Sequence, residues 1–530
     1  MTQQVQPVRY PIFSKDRIRL QGREAWKHNL QLASLAASKL ATSLGPTGAY
    51  KLVTYHLGPE LVTKVTKDAV EIVNELGVQY PAIKTLVEAA KVHREEAGDG
   101  VSTLLVLISA LLTEADRLIE MGVHPVAILD GYKDSVKRCL AIIDDAAEDP
   151  GRDLEENIME LVDCGRGLLS NRLRSELSQA LNLVDQAGKI ELSRIKIERK
   201  VGGTVDDSKL VRGVIIKKGK AHPSMPDEIT APRVAVVYNM EIKPLELIDK
   251  KQGPLSMTVN IASGNQLRRF ITEENRLRTR LVEKVKTAGA NVLISRAKLT
   301  DQISDKLSRE GIFAVQMVEQ RDIDEVAEAT GATIVADIND ISAEDIGTAE
   351  KLEIDKIPPE DVVILHCEGT ATLLLRGSSP ELVNELEKTV RNALLVLKHA
   401  RAMPKVIPGG GAIFVELALQ LRRFALMFAG RQQLAVSAFA DALETIPKWL
   451  STNFGLDPID TMLQLRRDHV NNMKSMGVGE QGSSDMLKEN IVELAVINKA
   501  TIRRTFEVAS LLLKIDDYFY VKDLPVFHKH

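Results

Sequence analysis

Apolar residues recur at three- and four-residue steps over 23–44, at Leu30, Leu32, Leu35, Ala36, Leu40 and Leu44, and this spacing predicts a helix. Gly45-Pro46 ends it. Two short β-prone runs, 49–55 and 61–65, flank Leu57-Gly58-Pro59 and predict a hairpin. Helical spacing returns over 82–96, 101–122 and 125–147, and Asp149-Pro150-Gly151 breaks the last of these. The middle of the chain alternates. Runs at 189–200, 209–218, 234–238, 292–295, 312–318, 333–335 and 362–367 are β-prone, with helical segments at 265–288, 298–309 and 322–330 among them. From Pro380 the spacing is helical again, over 381–402 and, after a break at Pro408-Gly409-Gly410-Gly411, onward to 516. Helical ends around an α/β middle are built most economically as one domain from both ends, with the middle inserted into it.

Composition narrows the function classes. The 530 residues are 44% hydrophobic and 27% charged, enough for large cores in several domains. With 69 basic against 73 acidic side chains, net −4, there is no broad basic footprint for nucleic acid. Aromatics at 4% leave little for base stacking, so no nucleic-acid partner is expected. Cys139, Cys164 and Cys367 are far apart and form no CxxC pair, which excludes a zinc ribbon or a thioredoxin-type site and suits a reducing cytosol. The longest apolar stretch, near 101–112, falls short of the ~20 residues that span a bilayer. The amino-terminal residues lack the apolar core of a signal peptide. The expectation is a soluble cytoplasmic chain with no transmembrane segment.

Three glycine motifs carry candidate phosphate chemistry. Leu44-Gly45-Pro46-Thr47-Gly48 joins a helix to the hairpin, Gly98-Asp99-Gly100-Val101-Ser102-Thr103 opens a helix, and Pro408-Gly409-Gly410-Gly411-Ala412 opens another. Glycine lets backbone approach an anion, and a helix N-terminus adds free N–H donors and a favourable dipole. In the second motif Asp99 is a candidate Mg²⁺ ligand, and Ser102 and Thr103 are candidate hydroxyl donors. Taken singly, each motif also reads as a turn with a helix cap. The common alternatives are absent: no GxxxxGK[ST], no HExxH and no GxSxG occurs. The one GxGxxG, at Gly477, Gly479 and Gly482, follows no β-prone run and does not support a dinucleotide fold.

In order, these motifs resemble those of the group II chaperonins, the family of archaeal thermosomes and the eukaryotic cytosolic chaperonin. Residues 43–51 resemble its TLGPKGMDK, 65–69 its ITNDG, 98–103 its GDGTTT, 222–226 its HPGMP, 289–292 its GANVV, 408–412 its PGGGA, 453–458 its NAGLDP and 513–517 its LRIDD. Gly202-Gly203-Thr204 and Leu210-Val211-Arg212-Gly213 resemble its GGS and LIRG. The chain is similar to a divergent, archaeal-type member over nearly its whole length.

The resemblance implies a multidomain α and α/β chaperonin fold. Residues 1–148 and 403–530 would form a discontinuous helical equatorial domain that binds ATP. Residues 149–214 and 371–402 would form an intermediate hinge domain. Residues 215–370 would form an inserted α/β apical domain with a helical protrusion, the built-in lid, at 245–279. It implies Mg·ATP, with Leu44, Gly45 and Pro46 lining the nucleotide pocket and Gly100, Ser102 and Thr103 on the phosphates. Asp99 would hold Mg²⁺, Gly410 and Gly411 would lie by the nucleoside, Glu493 near the ribose, and Asp68 close to the attacking water. The partners it implies are non-native polypeptides and other subunits in homo- or hetero-oligomeric stacked rings. The hairpin and the β-prone run Tyr518-Phe519-Tyr520-Val521 match elements that pair between neighbours.

The departures gather near the same pocket. Asn392 stands where the family's HDAL carries the hydrolytic Asp, Val101 replaces a hydroxyl of GDGTTT, Ala69 the glycine of NDG, Tyr50 the Asp and Thr47 the Lys of KGMDK. An amide orients water but is no base at neutral pH. Three functions stay open: an ATP-driven foldase subunit, a nucleotide-binding but hydrolysis-poor structural or regulatory subunit of a mixed ring, and a non-chaperone scaffold on the same fold.

Overall fold

The computed structural model describes residues 17–21, 23–57, 60–75, 81–150, 153–163, 168–186, 188–239, 264–355, 361–515 and 517–521. The chain divides into two compact units, one of residues 1–167 and 391–530, the other of 168–390.

The first unit is mainly helical. Its helices Arg23–Ala41, Pro81–Ala97, Val101–Glu120 and Pro125–Ala146 come from the amino-terminal half, and Ala412–Ala425, Arg431–Leu443, Pro458–Val470 and Ala495–Leu513 from the carboxy-terminal end. One apolar core takes residues from both ends, among them Leu40, Leu104, Leu111, Ile142, Phe414, Phe439 and Leu512. Tyr132 and Phe439 meet edge to face, 5.4 Å between ring centres, and the Tyr132 hydroxyl donates to the Leu111 carbonyl at 2.9 Å. A buried ring with a satisfied polar tip ties the two ends of the chain together.

The predicted hairpin is present as antiparallel Lys51–Leu57 and Glu60–Thr66, with Thr54 opposite Thr63. Strand Asp517–Val521, which contains the β-prone terminal run, pairs antiparallel with Arg17–Gln21 of the same chain. The helical stretch expected onward to 516 is a series of helices with one β interruption. A small hairpin, Met476–Gly479 with Gly482–Asp485, and the strand Val492–Leu494 interrupt it. The GxGxxG glycines therefore lie in the two strands that flank the turn Glu480-Gln481, and their periodicity is neither helical nor Rossmann-like.

The second unit is α/β. Strands Phe313–Val315, Val292–Ser295, Arg233–Asn239 and Ile334–Asp337 run parallel in that spatial order, and Gly347–Thr348 adds antiparallel to Arg233–Asn239. Their fully buried Val and Ile residues give the continuous apolar runs of a sheet covered on both faces. In the second sheet the long strand Val362–Gly377 is central, pairing with Lys209–Ile216, Ile195–Val201 and Lys351–Asp355. The predicted strand 362–367 is thus ten residues too short. Register shifts between His366 and Ala371, so the strand bulges past Glu368-Gly369 where pattern reading stops. Of the protrusion expected at 245–279, residues 245–263 lie outside the described residues. The remainder falls in helix Gly264–Ala288. No helix among the described residues is long and apolar enough to cross a membrane.

Candidate functional site

The helix Pro81–Ala97 ends in Gly98-Asp99-Gly100, and helix Val101–Glu120 starts there, with Gly100 as a left-handed N-cap at φ 82°. Only glycine suits this turn, because a Cβ on Gly100 would stand 2.9 Å from Thr501 Oγ1 and 3.3 Å from His93 Nε2. Gly98, at φ 76°, sits equally close to helix Pro380–Ala402: a Cβ there would lie 2.7 Å from Leu395 Cβ and 3.0 Å from the Asn392 carbonyl. The loop therefore rests against the backbone of Asn392. The half-buried Asn392 amide makes no hydrogen bond among the described residues.

On the other side the loop opens into a cavity of about 110 Å³. Asp99, Gly100 and Thr103 meet Glu493 and Asn498 there, and Ile158, Leu161 and Val396 supply apolar wall. Glu493 belongs to strand Val492–Leu494, which pairs with Val406–Pro408, placing Glu493 opposite Ile407 at the start of the third glycine motif. Burial pushes the Glu493 carboxyl up to about 7; the Asn498 amide, donating at 2.6 Å, works against that shift, and the negative charge of Asp99 adds to it. Asp99 itself is exposed, and its Oδ1 accepts from the Gly100 amide at 2.7 Å.

The first and third motifs meet at one side chain. A Cβ on Gly45 would lie 2.8 Å from Leu450 Cδ2, and one on Gly411, the N-cap of Ala412–Ala425, 3.3 Å from Leu450 Cδ1. Asn453 Nδ2 donates to the Ala41 and Leu44 carbonyls, each at 2.8 Å, and so fixes the first loop. Gly410 sits against Met486 and Val478 of the small hairpin, whose Val478 amide donates to the Gly410 carbonyl at 2.8 Å. Lys67 Nζ donates to the carbonyls of Gly45 at 2.8 Å and Pro46 at 3.1 Å, and its neighbour Asp68 pairs with Arg94 at 3.1 Å. The first unit thus contains all twelve candidate residues. Asp99, Gly100, Thr103 and Glu493 line the cavity; Leu44, Gly45, Pro46, Asp68, Ser102, Asn392, Gly410 and Gly411 belong to the same unit and are not in its wall.

A family model, the TCP-1/cpn60 chaperonin family, matches residues 37–522. The chain belongs to this chaperonin family. It is similar to a thermosome subunit of Methanopyrus kandleri, 35% identical over 520 residues, 96% of this chain and 94% of that protein. It is also similar to the thermosome subunit alpha of Aeropyrum pernix, 36% identical over 519 residues, 94% of this chain and 92% of that protein. A third relative is the thermosome subunit beta of Thermoplasma acidophilum, 32% identical over 517 residues, 94% of this chain and 93% of that protein. These relatives place it among the group II chaperonins.

In this chaperonin chain several residues around the loop carried no sequence signal. His93 is fully buried beneath Gly100; burial and the charge of Arg504 push its imidazole down to about 4, so it is neutral. Its Nε2 lies 3.2 Å from Thr501 Oγ1, whose own proton goes to the Ile497 carbonyl. Arg94, one residue on, pairs with Asp68 at 3.1 Å. Both looked like ordinary polar residues near a helix end. Only their distance of five or six positions from Asp99 hinted at the loop.

Proposed function

We propose that this chain is an ATP-binding subunit of a stacked chaperonin double ring that encloses non-native polypeptides, with hydrolysis slowed by Asn392. One observation carries the reading: the Gly98–Gly100 loop faces a cavity shared with Glu493 and rests on the backbone of Asn392, within one folded unit. In this reading 1–148 and 403–530 are the equatorial domain, 149–214 and 371–402 the hinge, and 215–370 the client-binding domain with its lid at 245–279.

The donor set fits a hard divalent cation. Asp99 and Glu493 bring two carboxylates to one cavity, and the charge of the first raises the cost of ionising the second. Asp99 would hold Mg²⁺, which when bound neutralises charge on the phosphoryl group. The first-turn amides of Val101–Glu120 and the hydroxyls of Ser102 and Thr103 would donate to phosphate oxygens. Leu44, Gly45 and Pro46, held by Asn453 and Lys67, would line one side of the nucleotide. Gly410 and Gly411 would flank the nucleoside, and Glu493 would accept from ribose. Hydrolysis needs a base for the attacking water. The Asn392 amide can orient that water but takes no proton, which leaves Asp68.

Purified assembly should elute well above the 58.4 kDa of one chain, bind ATP and release phosphate slowly. Asn392→Asp, nearly isosteric, should raise turnover by about 100-fold. A parent protein as fast as this variant would refute the slowed-hydrolysis reading. A single-chain elution with and without Mg·ATP would refute the ring.

A further inference from the structure

Asp68 is the one base this reading leaves, and its carboxylate is tied at both oxygens. It sits where strand Glu60–Thr66 turns into helix Ala69–Glu75. Oδ1 accepts from the Glu71 amide at 3.0 Å and so caps the helix, while the Asp68 amide donates to Thr66 Oγ1 at 3.1 Å. Glu71 in turn is held by Thr66 Oγ1 at 2.7 Å and Lys64 Nζ at 2.6 Å, which fixes the cap. Oδ2 accepts from Arg94 Nη1 at 3.1 Å. The Asp68 side chain is only 13% exposed and that of Arg94 32% exposed. Arg94 stands in the last turn of Pro81–Ala97, and its carbonyl accepts the Gly98 amide at 2.9 Å. One residue therefore grips both the Asp99 loop and Asp68.

We propose that Arg94 is a positioning residue that restrains Asp68 and acts as a second brake on ATP hydrolysis, independent of Asn392. The inference rests on the nucleotide-binding reading above. In the step concerned, the water oxygen bonds to the γ-phosphorus as the bond to the bridging oxygen breaks. ADP leaves with that electron pair, and the water's proton passes to a carboxylate. For Asp68 to take it, the acid must turn a lone pair toward the water. That turn is opposed while Arg94 holds Oδ2. A cap that is locally satisfied and a cation on the remaining oxygen hold the carboxylate in one orientation.

The test compares the full-length assembly as parent, Arg94→Gln, Arg94→Lys, Asn392→Asp and the Arg94→Gln/Asn392→Asp double variant. Equilibrium binding of a non-hydrolysable ATP analogue is measured beside steady-state phosphate release. Removing the cation should raise kcat by about tenfold in the background that keeps Asn392, where Asp68 is the one base, with analogue affinity and KM within about twofold of the parent. Arg94→Lys, which keeps the charge, should recover most of the restraint. A merely structural Arg94 would change assembly or affinity and not kcat alone. A large loss of analogue affinity in Arg94→Gln would overturn the proposal by making Arg94 a phosphate ligand. Unchanged kcat in Arg94→Gln, with Asn392→Asp faster, would overturn it and leave the nucleotide reading standing. Failure of the parent to bind the analogue would overturn both.

Discussion

Each unit gathers carboxylates that lie far apart in the sequence, and the two handle them differently. In the α/β unit Glu198, Asp322 and Glu325 bring oxygens within 4.8 Å of one another. Lys217 and Arg321 pair with Glu198, and Lys196 at 3.0 Å and Arg321 at 3.1 Å pair with Glu325. Three cations match three acids, and the cluster is neutral from its own side chains. Asp322 alone is buried with no ion pair among the described residues; burial first, then the charges of Glu198 and Glu325, push it up to about 6. In the helical unit Glu493 has only the neutral Asn498 amide, and it faces the charge of Asp99. The first cluster is closed by its own lysines and arginine. In the function proposed above, the second would take positive charge from a bound magnesium-nucleotide complex.

The largest effect should come from removing the acid that would receive that charge. In the Asn392→Asp background, Asp99→Ala should cut magnesium-dependent phosphate release by about 100-fold or more, because charge neutralisation at the phosphoryl group is lost. Turnover within tenfold of that background would erase the distinction between the clusters. The next effect lies in the other unit. Asp322 is protonated more readily when folded, so the folded state loses stability as pH rises from about 4 to about 6, and stays lower above that. After screening by partly exposed Lys217 and Arg321, the loss amounts to about 1–2 kcal/mol. Asp322→Asn should remove this slope and stabilise residues 168–390 at pH 7, read by hydrogen exchange across the pH range. An unchanged slope would mean that the cluster is balanced without Asp322.

The asymmetry also marks what could be read along the chain. The hairpin Lys51–Leu57/Glu60–Thr66 and the start of Val101–Glu120 were legible because Gly and Pro punctuate them locally. The long strand Val362–Gly377 was cut short because Glu368-Gly369 looks like a turn, and the bulge that carries the strand onward depends on its partner Lys209–Ile216. Glu493 was legible only through resemblance. Its place opposite Ile407 is a non-local strand pairing, and its raised pKa comes first from burial, with the charge of Asp99, almost four hundred positions away, adding to it. Arg94 and Asp68 are 26 positions apart, and a lone arginine on a polar helix face reads as solvated until the hairpin and helix are folded together. Periodicity reports which face is buried. It carries no record of which charges meet.

The smallest effect tests the open cluster most directly. The Glu493 carboxyl sits at about 7, so at pH 7 about half of it carries a proton. Magnesium at Asp99 would cancel part of the charge that raises Glu493 and so lower its proton affinity. Binding of a preformed magnesium complex of a non-hydrolysable ATP analogue should therefore release a fraction of a proton, up to about half at pH 7. The release should fade toward pH 9, where Glu493 is already ionised, and toward pH 5, where it stays protonated in both states. Calorimetry in buffers of different ionisation enthalpy measures it. Glu493→Gln should abolish the release while keeping a hydrogen-bonding partner for Asn498, and Asp322→Asn should leave it intact, since that cluster is already neutralised by Lys196, Lys217 and Arg321. Equal proton release from the parent and Glu493→Gln would place the titrating group elsewhere and remove the reason for treating the two clusters as different in kind.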